Sequence, residues 1–233
     1  VMTGIRRSGK SVMLELVKQE LLERGVEKAQ FISINFEDMR YLHLCTAQVL
    51  HQEILTRAEG IAGKVYLFFD EIQEVKDWEK CVNSLRVALD CDIYITGSNA
   101  KLLSGELATY LGGRYVEFVI YPFSLAEFLE LYRPTDSRAT AGQCFQQYLR
   151  FGGMPYLSRL NYQEEPVRQY LSDLYDSVQL KDIIKRNKVR DVDLLERILA
   201  YVMANVGTTF SAGSLTKFFK SEQRSVSPET VLN

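Results

Sequence analysis

The chain has 233 residues, of which 46% are hydrophobic and 25% are charged, and its formal net charge is −2. This composition is typical of a globular protein and excludes collagen-like and wholly disordered chains. The apolar runs are far shorter than the roughly 18 residues of a membrane span, and the first residues carry no signal-peptide pattern. We therefore expect a cytoplasmic protein with no membrane partner. The negative charge also argues against nonspecific coating of nucleic acid.

Short β-rich runs alternate with amphipathic stretches in the first half of the chain, which is typical of an α/β fold with a parallel sheet. Strands are predicted at residues 31–36, 65–69, 93–96 and 115–120. Helices are predicted over 11–24 with Gly25 as the stop, over 78–89 with Asp77 as the cap, and from Leu125, preceded by a Ser124/Glu127 capping box. The four cysteines, Cys45, Cys81, Cys91 and Cys144, are too few and too far apart for a disulfide scaffold, so we expect buried or half-buried thiols.

The second half of the chain is predicted to be helical. Helices are expected over residues 143–150, 167–184 and 192–205, with a Gly152–Gly153 turn and a charged link at 185–191. Residues 192–233 suit the start of a winged helix-turn-helix, whose third helix opens at Ser227. Two roles stay open for this segment, namely contact with DNA and a structural or lid role. The predicted domains are therefore 1–133 for the α/β part, 134–190 for the helical lid and 191–233 for the partial winged helix.

A glycine-rich loop at the start of the chain matches the pattern G-x-x-x-x-G-K-S of a P-loop. In such a loop, backbone amides surround phosphate oxygens, and the positive end of the following helix is directed at them. We expect Lys10 to place its charge between the β- and γ-phosphates and the Ser11 hydroxyl to bind Mg²⁺. The residues predicted to hold ATP are Gly4, Arg7, Ser8, Gly9, Lys10, Ser11 and Val12. Since only residues 1–3 precede the loop, we expect the chain to begin inside the strand that leads into it.

Two adjacent carboxylates, Asp70 and Glu71, follow the apolar run at residues 65–69. A buried strand does not hold carboxylates in its interior, so they lie at its carboxyl end, where α/β sheets bind ligands. We predict that Asp70 holds Mg²⁺ through a water molecule and that Glu71 is the general base that polarises the attacking water.

Two further candidates follow the later strands. Ser98 and Asn99 come directly after the strand at 93–96, where either side chain is a candidate sensor of the γ-phosphate or an ordinary helix cap. Arg114 follows Gly112–Gly113, and three roles stay open for it: a phosphate contact within the chain, a contact with the site of a neighbouring subunit, and a structural ion pair.

Several segments recur in an order that resembles one family. They are GIRRSGKS (4–11), INFED (34–38), LFFDEIQ (67–73), ITGSNAKLL (95–103), GGRY (112–115), YPFSLAEF (121–128), FGGMP (151–155) and LKDIIKR (180–186). Together they resemble the AAA+-type P-loop ATPases of a prokaryotic and archaeal family that joins the ATPase domain to helical and winged-helix segments and a C-terminal domain of unknown function. Compared with that family, we expect most of the first strand and the whole C-terminal domain to be missing from these residues.

The resemblance implies an additional-strand, catalytic-glutamate core with the strand order 5-1-4-3-2. It also implies hydrolysis of Mg-ATP. The hydrolysis cycle would serve as a conformational switch or motor, and nucleic acid is one candidate for what it acts on. By matching position, Lys10 and Ser11 take the phosphate and Mg²⁺ roles, Asp70 and Glu71 the Walker-B roles, and Ser98 or Asn99 the sensor role. A homo-oligomer is a further expectation.

An alternative function uses the same pocket. The chain would then be an ATP-dependent interaction module that binds nucleotide and barely turns it over. A kinase is disfavoured because the residues after Asn99 lack an arginine-rich lid, and a GTPase is disfavoured because no N-K-x-D motif is present. Glu71 favours hydrolysis over simple binding.

Overall fold

The computed structural model describes residues 1–97, 112–132, 139–178, 183–184, 189, 191–209 and 211–221. Internal contacts divide the chain into two compact units, Val1–Ser172 and Asp173–Asn233. The finer division at residues 133 and 190 stays a prediction.

The first unit is built on parallel strands. They are β1 (Met2–Thr3), β2 (Phe31–Asn35), β3 (Val65–Asp70), β4 (Cys91–Ile95) and β5 (Phe118–Val119). Strands β2, β3 and β4 form one parallel ladder and β1 pairs with β5 in another, while a parallel bridge between Met2 and Thr96 joins the two. The order across the fold is therefore β5-β1-β4-β3-β2, which confirms the expected α/β P-loop order.

The described helices belong to both units. They are α1 (Lys10–Glu23), α2 (Ala47–Ala58), α3 (Trp78–Ala88), α4 (Leu125–Tyr132), α5 (Ala141–Phe151), α6 (Glu164–Ser177), α7 (Val192–Ala204) and α8 (Ala212–Ser221). Short 3-10 turns lie at Lys28–Gln30, Met39–Leu44, Ile72–Glu74 and Pro155–Leu160.

The predicted boundaries of α3, α4 and β5 agree with the structure in part. The capping box before α4 is confirmed, because the Glu127 amide donates to Ser124 Oγ and the Ser124 amide donates to Glu127 Oε2. Asp77 is the N-cap residue of α3, as predicted, but its side chain does not cap the helix. Asp77 has a left-handed backbone with a φ of 57°, and its carboxylate accepts from Lys80 rather than from the first helical amides. The predicted strand at 115–120 is also too long, since only Phe118–Val119 pairs with the two residues of β1.

Strand β3 is covered on both faces. Leu67 and Phe69 point into a core with Leu50 of α2 and Leu85 of α3, whereas Phe68 points to the other face, toward Leu14 of α1. This alternation is the two-residue period of a strand. Burial on both faces explains why the run at 65–69 is apolar throughout. The carboxyl end of β3 is therefore held from both sides.

The thiols are arranged as predicted. Cys81 and Cys144 are buried, Cys45 and Cys91 are half-buried, and all four are free. Burial disfavours the charged thiolate and raises the pKa of Cys81 to about 12. In the described part of the chain, no helix has the length and apolar character needed to cross a membrane.

The second unit has a small core of its own. Leu194 of α7 packs with Leu215 and Phe219 of α8, and the rings of Tyr201 and Phe218 lie 4.8 Å apart. Asp191 caps α7 by accepting a hydrogen bond of 2.9 Å from the Leu194 amide. The predicted third helix at Ser227 lies outside the described residues, so the winged helix stays a prediction.

Gly153 provides a test of the packing between the segment before α4 and the turn after α5. A Cβ at this position would lie 2.0 Å from the Phe123 carbonyl oxygen. We expect Gly153→Ala to lower the free energy of unfolding by about 1–3 kcal/mol, because backbone atoms must shift. The matched variant Gly142→Ala, with nothing within 4 Å of its Cβ, should be neutral or stabilising by up to about 1 kcal/mol. Urea denaturation of both variants measures the difference, and equal stabilities would contradict the packing.

Candidate nucleotide-binding site

The backbone of the loop at residues 4–11 requires glycine at two places. Gly4 has a φ of +149°, and a Cβ there would lie 2.2 Å from the Ile120 carbonyl oxygen. Gly9 has a φ of +104° and is the N-cap of α1, whose first helical hydrogen bond joins the Met13 amide to the Gly9 carbonyl at 3.0 Å. The loop therefore approaches the segment after β5 closely and then turns directly into the helix.

Lys10 lies at the start of α1 and is buried. Its ammonium donates to the carbonyl oxygens of Gly4 and Ile5, at 3.2 and 2.9 Å. The first turn of α1, residues 10–13, contains no acidic side chain, so the positive end of the helix is not neutralised locally. Ser8 is also buried, and its hydroxyl has no hydrogen-bond partner among the described residues. Buried donors and a helix end thus converge on one short loop.

The outer side of the loop contacts the helical part of the first unit. Arg7 has a left-handed backbone with a φ of 59°, and its guanidinium lies 5.4 Å from the ring centre of Tyr170 in α6. A Cβ on Gly9 would lie 4.0 Å from Pro155. Val12, which was predicted to contact nucleotide, is 61% exposed on α1.

Asp70 lies at the carboxyl end of β3, where it is buried. Its Oδ1 accepts a hydrogen bond from the Thr96 hydroxyl, and its Oδ2 accepts one from the side-chain amide of Asn35 at 3.1 Å. A buried carboxylate needs such donors, since removing it from water without compensation costs several kcal/mol. The ends of β2 and β4 therefore hold the carboxylate at the end of β3.

Glu71 follows directly and takes a left-handed backbone conformation with a φ of 55°. Its amide donates to Thr96 Oγ1 at 3.1 Å, and its carboxylate accepts from the Gln73 side chain. Burial raises the pKa of Glu71 above its ordinary value, while the hydrogen bond from Gln73 and the charge of Lys10 lower the pKa in part. A carboxyl with a raised pKa is suited to accepting a proton.

A cleft of about 400 Å³ joins the two halves of the site. Its lining includes Ser11, Asn35, Asp38, Arg40 and Asp70. The predicted Mg²⁺ ligands Ser11 and Asp70 therefore share one cleft. Hydroxyl and carboxylate oxygens are the donors that Mg²⁺ prefers, so this set fits the ion.

Arg114 does not line this cleft. Its guanidinium donates to Asn83 Oδ1 of α3 at 3.2 Å, and the residue lines a separate, mainly apolar cavity of about 810 Å³ between β4 and the chain before β5. None of the residues 4–12 line that cavity. The other two candidates, Ser98 and Asn99, lie outside the described residues.

Three side chains of this site were not singled out from the sequence: Asn35, Thr96 and Gln73. Asn35 and Thr96 are the polar residues at the carboxyl ends of β2 and β4, and Asn35 stands opposite Asp70 in the parallel register. A polar residue at the end of an apolar strand is the sequence signal that could have indicated Asn35 and Thr96. Their hydrogen-bond partner could not be predicted in this way, because it depends on the pairing of strands that are far apart in sequence.

The parallel sheet, the glycine loop before α1 and the carboxylates after β3 define a protein of the P-loop NTPase class. Residues 1–129 match the family described as an AAA domain, and residues 142–231 match a family described as a domain of unknown function. The chain therefore belongs to the AAA family of P-loop ATPases.

Two relatives match nearly the whole of this chain. An uncharacterized protein of Haemophilus influenzae is 38% identical over 99% of this chain and 57% of its own length. An uncharacterized protein of Methanocaldococcus jannaschii is 31% identical over 100% of this chain and 52% of its own length. The chain thus spans about half the length of these relatives.

Two solved structures share 14% and 15% identity with the chain. A Thermotoga maritima RuvB variant aligns over 99% of this chain and 75% of its own, with a TM-score of 0.47. The replication initiator DnaA bound to AMPPCP and single-stranded DNA aligns over 90% of this chain and 64% of its own, with a TM-score of 0.39. Both TM-scores are too low to define the family or the function of this chain.

Thr96 gives a direct test of the carboxylate network. Thr96→Val keeps the shape of the side chain but removes the donor to Asp70 and the acceptor of the Glu71 amide. We expect the free energy of unfolding to fall by about 1.5–3 kcal/mol, the value of a hydrogen bond to a charged group. Thr96→Ser keeps the hydroxyl and should lose about 1 kcal/mol through its missing methyl group. Urea denaturation compares the two, and a valine variant as stable as the serine variant would contradict the network.

Proposed function

We propose that the chain binds Mg-ATP in the loop at residues 4–11 and hydrolyses it to ADP and phosphate. The observation that carries this proposal is the convergence of Lys10, Asp70 and Glu71 at the carboxyl edge of one parallel sheet. Lys10 is buried at the start of α1, Asp70 is buried at the end of β3, and the charge of Lys10 acts on the Glu71 carboxyl.

The loop suits a phosphate chain. The Ser8 hydroxyl has no hydrogen-bond partner in the described part of the chain. This hydroxyl, the Lys10 ammonium and the amino end of α1 all favour an anion at this place. Lys10 would hold the β- and γ-phosphates, and Gly4 and Gly9 permit the close backbone approach. Arg7 and Val12 would contact the nucleotide from the outer side of the loop.

Ser11 and Asp70 would hold Mg²⁺, with Asp70 acting through water. The ion, when bound, neutralises charge on the phosphate oxygens. The part played by this chain is to keep Asp70 ionised and oriented, through Asn35 on one oxygen and Thr96 on the other. Glu71 would then take the proton of the attacking water, a role for which its raised pKa is suited.

We further propose a cytoplasmic location, a homo-oligomer, DNA contact through the C-terminal segment, and a γ-phosphate sensor at Asn99. The bond between Arg114 and Asn83 supports a structural role for Arg114 over a phosphate contact within the chain, and a contact with a neighbouring subunit stays an alternative. Because the chain spans about half of its relatives, the work done by the ATP cycle in the whole protein is likewise a proposal.

Lys10→Ala tests the phosphate site. No other charged group at the start of α1 replaces the ammonium, so we expect loss of tight Mg-ATP binding by on the order of 10-fold or more, from charged hydrogen bonds of about 1.5–3 kcal/mol. Fluorescent-nucleotide titration measures the affinity. Lys28→Ala, in a 3-10 turn away from the loop, should bind as the unmodified chain does. Unchanged affinity in a folded Lys10→Ala variant would contradict the site.

Glu71→Gln tests hydrolysis against simple binding. The amide cannot accept the proton of water, so the turnover number should fall by about 10²-fold or more while ATP binding persists. A steady-state phosphate-release assay, with the affinity measured in parallel, separates the two effects. Equal turnover would assign the base to another group, whereas an unmodified chain that binds ATP without turnover would favour the interaction module.

A further inference from the structure

Gln73 contacts the group proposed to be the base. It lies in the 3-10 turn Ile72–Glu74, two residues after Glu71, and its side-chain amide donates to Glu71 Oε2. Both residues are half-buried. The contact is therefore partly shielded from water, where a charged hydrogen bond keeps more of its strength.

The backbone around this pair is held at several points. The Glu71 amide donates to Thr96, and the Ile72 amide donates to the Thr96 carbonyl oxygen at 3.2 Å. The Glu74 amide returns to the Glu71 carbonyl oxygen at 3.1 Å. These bonds determine where the Cα of Glu71 lies, but they leave the torsions of its side chain free.

The amide of Gln73 supplies the missing restraint. Among the described residues, it provides the one hydrogen bond to the Glu71 carboxylate. It binds Oε2 and leaves Oε1 without a protein donor in the same part of the chain. A glutamate side chain has several rotatable bonds, so one charged hydrogen bond selects a narrow set of carboxylate positions.

The side-chain carbonyl of Gln73 indicates that a contribution to fold stability does not explain why glutamine stands at this position. Its carbonyl oxygen Oε1 is buried and has no hydrogen-bond partner among the described residues. A buried, unpaired acceptor destabilises a fold, and an apolar side chain of the same length would avoid that cost. The hydrogen bond from Gln73 to Glu71 is the interaction that compensates for this cost.

We propose that Gln73 is a positioning residue that holds the Glu71 carboxylate by one oxygen and presents the other oxygen, Oε1, to the attacking water. The inference rests on the proposed ATP hydrolysis and adds a determinant of its rate. Gln73 acts only through Glu71. It should therefore affect the chemical step and leave nucleotide binding unchanged.

The test uses Gln73→Met in the full chain, because methionine has a similar length and no hydrogen-bonding amide. The turnover number should fall by about 10-fold or more, the usual effect of removing a group that orients a reacting residue. The KM for ATP and the affinity for a non-hydrolysable ATP analogue should stay within about 2-fold, since the contact is not part of the phosphate site. Phosphate release and analogue titration measure these values.

A double-mutant cycle identifies the residue through which Gln73 acts. In the Glu71→Gln background, Gln73→Met should change the residual single-turnover rate by less than about 2-fold, because the carboxylate it positions is gone. Gln30→Met is the matched control. It removes a similar half-buried amide, which bonds the Lys64 carbonyl oxygen at 2.8 Å, and should lower the free energy of unfolding without changing turnover.

Three outcomes would overturn the inference: turnover of Gln73→Met within about 2-fold of the unmodified chain, an equal loss of analogue affinity, or an undiminished effect in the Glu71→Gln background. These results would leave the proposed function intact, because the unmodified chain would still hydrolyse ATP. An unmodified chain that fails to hydrolyse ATP would overturn the proposed function and this inference together.

Discussion

The buried carboxylate of Asp70 imposes the main physical constraint on this structure. A charge at the end of a strand that is apolar on both faces is stable only with donors on both oxygens, and Thr96 and Asn35 supply them. Each donor comes from the strand beside β3, so the three strand ends must stay aligned. The Thr96 hydroxyl also accepts from the Glu71 amide, which extends the same constraint to the neighbouring carboxylate.

Much of the first unit could be predicted from local pattern. The apolar run ending in Asp70 and Glu71, the glycine loop before α1 and the capping box before α4 are short-range signals that the structure confirms. Helix α2 was not predicted, although its buried residues Leu50 and Ile54 have the four-residue spacing of one helix face. The roles of Asn35 and Thr96 depend on the register between strands about 26 to 35 residues apart, which no local pattern specifies.

The loop is tied to its surroundings in two directions. Inward, Gly4 is pressed against the Ile120 carbonyl oxygen, so the segment after β5 limits how the loop can move. Outward, Arg7 lies over the ring of Tyr170, and Gly9 faces Pro155. The loop whose amides are predicted to surround phosphate therefore contacts the sheet edge on one side. On its other side it contacts helical residues of the same unit.

The parallel register also limits how this part of the sequence can change in length. Within β3, one inserted or deleted residue would exchange the faces of Phe68 and Phe69 and turn Asp70 away from Asn35 and Thr96. The turn at Gly60 before the strand has more room, since a Cβ at this position would meet nothing within 4 Å. Insertions and deletions that preserve the carboxylates are therefore expected before Val65, and alignments of related chains should place their gaps there.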